Sequence, residues 1–452
     1  MLTSVGPFIV YLLSFPAMLA AVFRVEIGIL FFILFIPIIS VMKKMVAYPA
    51  GDQIGDLLLI SMILGWFFAS LKEKRKVFES SAMNWVVLLI IGGSILNLIR
   101  GYTFMGFSEE VDLIRLQAWK NYMILPAIYF VAMNNIRSEN LLRNIIICVC
   151  LTMLVMDFNF YTTFRWFKTE HYSHQMRISG AFSFLGPNEM AIFYTMYTFL
   201  LLGISYFVDD KKLKYFMLLV CLCNFYPIVY SYSRDGYACA LIGLLALGFL
   251  KDRRLLIILV GIVVLYKLVL PTSVVERIDM TFLDRQQVSQ EEQQASAFEV
   301  GDVTLELTGR KHLWEKAITY FEHEPLLGIG FDTFRHQEGW ITHSLYMRIL
   351  AEQGLIGAMI FLIYIFSNLW NSYRLFRHSE SKWGKGIGLG FFACVMVHMV
   401  GSFSGDQSLY YNLMAIFWLF MGIVANLNRS IKVEEKVTTW EEPSYLSRKN
   451  VS

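Results

Sequence analysis

The sequence predicts an all-α polytopic membrane protein of about 12 to 13 transmembrane helices with one large loop on the outer side. Three observations predict it. Apolar residues make up 56% of the 452 residues, charged residues only 17%, and mean hydropathy is +0.52, whereas soluble domains carry about a quarter charged residues. Apolar runs close to the roughly 20 residues that cross a bilayer recur along the whole chain. Between those runs, Lys and Arg gather in short segments, as they do in cytoplasmic loops. This composition excludes disorder, disulfide scaffolds and nucleic-acid modules, and a net charge of +3 is too small for a polyanionic partner.

The first charged side chain is Arg24, so the basic start of a secretory signal is missing and the first apolar stretch is expected to be retained. Apolar runs centre near Ala17, Leu34, Ile63, Leu89, Ile128, Cys148, Tyr197, Leu219, Leu244, Val260, Phe361, Met396 and Phe417. Only Arg24, Val25 and Glu26 separate the first two runs, and the stretch from Leu113 to Ala132 contains Arg115 and Lys120. Either is open to being a short or re-entrant element. The six cysteines all lie in apolar runs and read as small buried hydrophobes.

Inner loops are marked by Lys72, Lys74, Arg75 and Lys76, by Lys211, Lys212 and Lys214, by Lys251, Arg253 and Arg254, and by Arg374, Arg377, Lys382 and Lys385. Alternation through the runs leaves Lys43 and Lys44 outside, against the rule. Four regions follow: an N-terminal helix bundle over 1–271, an outer loop over 272–342, C-terminal transmembrane helices over 343–427, and a cytoplasmic tail over 428–452.

Three outer segments are substantial: Arg100 to Lys120, Tyr161 to Asn188, and Pro271 to Thr342. The last is far longer than ordinary connections, and its 13 Asp or Glu against 6 Lys or Arg suit the outer side. Its first half, with Gln286, Gln287, Gln290, Glu291, Glu292, Gln293 and Gln294, reads as a mobile segment or an exposed helix. From Gly309 to Phe321, Leu313, Trp314, Ala317, Ile318 and Phe321 repeat at helical spacing with Thr308 as N-cap. A Pro and Gly-rich turn follows from Glu324 to Gly330, and His343 opens the next membrane helix, which carries Tyr346, Arg348, Glu352, Gly354 and Gly357.

Candidate chemistry lies at the outer helix ends. Arg234 sits in a very short outer connection, where Arg is disfavoured; such interfacial ionisable residues mark functional sites. Arg310 opens the amphipathic helix, and helix N-termini attract anions. Arg177 precedes Ser179-Gly180 and the turn Gly186-Pro187-Asn188. Each also has a plainer reading, since an interfacial Arg snorkels to lipid phosphate or pairs with an acid, and Asp235 adjoins Arg234. His171 and His174 have a spacing that suits a metal, but the only nearby acid is Glu170 and no Cys joins them, which favours a solvated pair.

In their order, these elements resemble the O-antigen ligase and polymerase family of bacterial membrane glycosyltransferases. The residues that carry the resemblance begin with Arg177, Ser179-Gly180, Phe184, Pro187-Asn188, Ser233-Arg234 and Gly236. They continue after the long loop with Thr308-Gly309-Arg310, Trp314, Glu322 to Gly330, Phe334, His343 to Tyr346, and Glu352-Gly354-Leu355-Ile356-Gly357. It is most specific from Arg177 to Gly357. The resemblance implies a glycosyltransferase C-type fold in the bacterial cytoplasmic membrane, with the active site facing the periplasm or exterior. It further implies transfer of a glycan from undecaprenyl diphosphate to an acceptor: a lipid A core or another surface acceptor for ligases, a second lipid-linked repeat unit for polymerases.

Family roles carry to Arg234 and Arg310 as diphosphate-binding arginines, to His343 beside the acceptor hydroxyl, and more weakly to Arg177; Trp314 and Tyr346 are expected to contact substrate. Arg suits a diphosphate leaving group because its planar fork gives bidentate, charge-assisted contacts. A neutral His accepts the proton of the attacking hydroxyl. Back-side attack inverts the anomeric centre. No cofactor is expected, and no metal, because arginines take the place of the cation, although Glu110-Val111-Asp112 resembles a divalent-metal motif of other type C glycosyltransferases. The competing class is a transporter or flippase of lipid-linked glycans, which also buries charges along a path; no second copy of the Arg234 or His343 motifs is visible to suggest its inverted repeats.

Overall fold

A computed structural model describes residues 2–35, 47–180, 186–280, 297–300, 303–306 and 310–441. The chain folds into a helical bundle: α1 (Leu2–Phe23), α2 (Val25–Phe35), α3 (Ile54–Lys72), α4 (Ala82–Met105), α5 (Glu109–Asn135), α6 (Glu139–Phe164), α7 (Pro187–Ser205), α8 (Lys211–Tyr230), α9 (Arg234–Leu250) and α10 (Arg254–Val269). Then come α11 (Thr272–Asp279), an antiparallel hairpin of β1 (Ala297–Val300) and β2 (Val303–Glu306), α12 (Lys311–His323), α13 (Thr333–Glu338), α14 (Leu345–His378), α15 (Lys382–Gly401) and α16 (Tyr411–Glu441). It is an all-α polytopic membrane protein apart from that hairpin. The Gln-rich run 286–294, Lys43, Lys44, Phe184, Thr308 and Gly309 lie outside the described residues.

All thirteen expected runs are helical. Among the described residues, α3, α4, α6, α8, α14, α15 and α16 to Ile431 have the length and apolarity to cross a bilayer, and α10 with α11, bent by 109°, makes an eighth. Other helices are enclosed by their neighbours or carry charge. In α7 every residue from Asn188 to Ser205 except Leu202 is buried, so it needs no lipid-facing surface. The opening of α5 is charged by Glu109, Glu110, Asp112 and Arg115. At Arg24, the corner between α1 and α2 brings Ala21 and Val25 against Gly65 in the middle of α3.

The core forms where small residues let backbones approach. On α7, a Cβ at Gly203 would lie 2.3 Å from the Gly390 Cα of α15, the small-residue contact that packs helices in membranes. Different charges hold the two ends of the bundle. At the basic end, Arg143 pairs with Asp210 at 2.9 Å, Lys382 with Asp209 at 2.7 Å and Arg429 with Glu79 at 3.1 Å. At the opposite, site end, α12 and α13 pack against α14, and Arg310 at the start of α12 reaches Asp235 at the start of α9. The boundary expected at 427/428 falls inside α16.

α14 is broken at Gly354, with φ +61 and ψ −157. The turn from Pro325 to Gly330 splints the break. The N–H groups of Ile329 and Gly330 donate to the Ala351 and Glu352 carbonyls, and those of Leu355 and Ile356 donate to the Pro325 and Leu326 carbonyls. The backbone groups released by the break are thereby satisfied away from water, as a membrane requires.

Candidate active site

Local chain chemistry positions each candidate side chain. The Ser233 hydroxyl caps α9 by accepting the Gly236 N–H at 3.1 Å, which sets Arg234 and Asp235 in the first turn. Arg310, rather than Thr308, occupies the N-cap position of α12. Its Nη1 donates to the Ser404 carbonyl at 3.1 Å and lies 3.9 Å from Asp235 Oδ2. Asn188, at the start of α7, accepts through Oδ1 both from Arg177 Nη2 at 3.0 Å and from Ser233 Oγ at 2.9 Å. Arg177, Asn188, Ser233, Asp235 and Arg310 are thus one connected set drawn from four separate stretches of chain.

Arg177 is under electrostatic strain. Burial, and after it the Arg277 guanidinium, lower its pKa from the usual value, and its Nε is buried without a hydrogen-bond partner among the described residues. Arg277 had no place in the sequence argument. It is buried on the amphipathic α11, where its Nε faces the Tyr232 carbonyl at 3.4 Å and its guanidinium stacks over the Tyr172 ring. Its signal was the helical spacing of Val274 and Arg277 on a strongly two-faced segment after a sharp bend. Two neighbouring cations raise each other's energy until an anion joins them.

His343 has φ +52, a left-handed conformation that costs a non-glycine residue about 1 to 3 kcal/mol. Neighbouring hydrogen bonds hold it there. Trp314 Nε1 donates to the Thr342 carbonyl at 3.0 Å, and Thr342 Oγ1 donates to the Ser344 carbonyl at 2.8 Å. The imidazole has no hydrogen-bond partner among the described residues. Burial first, then Arg310, lower its pKa from the usual 6.5, which keeps it neutral and basic near pH 7.

The residues expected to contact substrate have structural contacts. Trp314 is buried, its indole N–H engaged as above and its ring edge-on to Phe403. Tyr346 donates its hydroxyl to the Met399 carbonyl at 2.8 Å, while the residue lines a groove of about 580 Å³ with Ala238, Met399, Val400 and Phe403. Asp235 and Ser404, the two neighbours of Arg310, close the polar end of this mainly apolar groove. In the acidic turn at the start of α5, Asp112 Oδ1 pairs with Arg115 at 3.1 Å and Oδ2 accepts the Ser108 N–H at 3.0 Å. His171 pairs with Glu276 at 2.8 Å.

Behind the site, buried Arg348 binds three carboxylates: Asp332 at 2.8 Å, Glu352 at 3.0 Å and Asp406 at 2.6 Å. Glu352 also accepts the Asp332 and Phe334 N–H groups at 3.0 and 3.2 Å. Arg115 Nε holds the Phe331 carbonyl at 2.9 Å. The strand-like return from α12 is thereby fixed to α5 and α14.

Residues 218–362 match the family model described as O-antigen ligase. That stretch contains Arg234, Arg277, Arg310, His343 and the splinted break at Gly354, while Arg177 and Asn188 precede it. No curated protein matches the chain.

Proposed function

Starting from the O-antigen ligase/polymerase family that this match supports, we propose that the chain is a membrane glycosyltransferase. It moves an oligo- or polysaccharide from undecaprenyl diphosphate to an acceptor hydroxyl, with the site end facing outwards from a bacterial cytoplasmic membrane. The acceptor is a lipid A core in the ligase form and a second lipid-linked repeat unit in the polymerase form. The observation that carries the reading is a single juxtaposition: Arg310 reaches Asp235 and Ser404, which line an otherwise apolar groove of about 580 Å³, and Arg177 lies within electrostatic reach of Asp235 and Arg310. A lipid diphosphate has this same division, an anionic head on an apolar chain.

In the reaction, the acceptor oxygen attacks the anomeric carbon from the face opposite the diphosphate. The bond from that carbon to the diphosphate oxygen breaks, and its electron pair leaves with undecaprenyl diphosphate. The hydroxyl proton passes to His343. Arg234, Arg310 and, beside them, Arg177 neutralise the charge that grows on the leaving group. Trp314 acts through the Thr342 carbonyl to position His343, and Tyr346 forms the groove wall with its ring.

Alanine at Arg234 or Arg310 is expected to abolish surface glycan at unchanged protein level, since loss of one oxyanion donor costs about 10²- to 10³-fold in rate. Surface glycan retained in both variants overturns the diphosphate clamp. Transfer is expected to persist in excess EDTA, because guanidinium groups supply the positive charge; loss on chelation with recovery on Mg²⁺ addition contradicts that assignment.

A further inference from the structure

A second cavity, of about 280 Å³, opens at the site end between α5, α13 and the start of α16, close to the roughly 300 Å³ at which small-molecule sites begin. Its chemistry differs from that of the apolar groove. Asn121 and Asn412 bring amides, Asp332 and Arg335 a charged pair, and Tyr410 and Tyr411 phenol rings. Asp332 is oriented from both sides, by Arg348 at 2.8 Å and Arg335 at 2.7 Å. Asn412 Oδ1 is buried there without a hydrogen-bond partner among the described residues, an acceptor that calls for a donor. Amides, an oriented carboxylate and aromatic faces together match the vicinal hydroxyls and apolar C–H faces of a pyranose ring.

Two chain segments join this cavity to the arginine cluster. Ile341 lines it two residues before His343. The segment after α15 runs from Ser404, whose carbonyl accepts from Arg310, to Leu409 and Tyr410, which line the cavity. The two short segments 341–343 and 404–410 therefore lead directly from the cavity to His343 and to the Arg310 contact.

We propose that the 280 Å³ cavity is the acceptor-sugar subsite, which holds a pyranose ring of the acceptor so that its hydroxyl reaches His343. This rests on the glycosyltransferase reading, with the donor in the apolar groove. The test uses purified full-length protein in proteoliposomes. Its probes are the donor and the acceptor, separated from the lipid extract of a strain lacking this chain and titrated one at a time. Asn121→Leu and Asn412→Leu are expected to raise the acceptor KM at least tenfold and leave the donor KM unchanged. As a check that does not depend on how these variants fold, Ala118→Cys, in the cavity wall on α5, is modified after reconstitution with thiol reagents of increasing size. Small adducts are expected to spare transfer and bulky ones to raise the acceptor KM alone.

An acceptor KM unmoved by the substitutions and by bulky adducts overturns the subsite, as does a parallel rise in both KM values. If wild-type protein releases no undecaprenyl diphosphate from the donor, the glycosyltransferase reading itself fails. The two failures are therefore distinguishable.

Discussion

At the residue scale, burial and then Arg310 set the behaviour of His343. A histidine whose pKa is lowered by burial and by a neighbouring guanidinium stays neutral until the pH falls through that lowered value. The acidic limb of the kcat/KM profile is therefore expected below about 6.5. His343→Gln is expected to lower the rate by about 10²- to 10⁴-fold and to remove the limb; a limb that survives belongs to another group. Arg310→Gln removes a cation and should move the limb upward. The sequence made Arg177, Arg234, Arg310 and His343 legible because each is a polar residue at the edge of an apolar run. It did not reveal Arg277, whose neighbour Arg177 is brought near only by the bend after α10, nor the role of Trp314, whose indole reaches Thr342 across the turn between helices.

At the element scale, the break in α14 organises the site end. Helical periodicity finds α14 but not its break, because the splint pairs residues 325–330 with residues 351–356, a contact between distant stretches of chain. A Cβ at Gly354 would lie 2.6 Å from the Leu326 carbonyl at φ +61, so Gly354→Ala is expected to cost about 1 to 3 kcal/mol in strain and a similar amount in overpacking. The measurement is thermal unfolding in detergent, where an unchanged midpoint contradicts the splint. Arg348 sits below it with three carboxylates. Arg348→Met leaves those acids buried without their cation and is expected to cost about 3 to 5 kcal/mol, whereas Arg335→Ala removes a half-exposed guanidinium from an Asp332 that Arg348 still holds, and should cost less.

At the scale of the whole molecule, composition sufficed for the fold class and the order of helices. Enclosed helices such as α7, and the charged start of α5, do not obey a rule written for segments that face lipid. The basic loops gave the orientation, which predicts that Glu170→Cys, exposed at the site end, reacts with an impermeant thiol reagent on intact cells. Lys251→Cys at the basic end should react only after permeabilisation, and the reverse pattern contradicts the orientation.

We propose that one outer corner of this bundle releases a glycan from an intact lipid diphosphate and passes it to a hydroxyl. Purified protein reconstituted with an undecaprenyl diphosphate oligosaccharide and an acceptor tests it most directly. The account predicts free undecaprenyl diphosphate and a glycan joined to the acceptor through an inverted anomeric bond, with both products lost in Arg310→Ala. Movement of intact donor across the bilayer with no new glycosidic bond contradicts it.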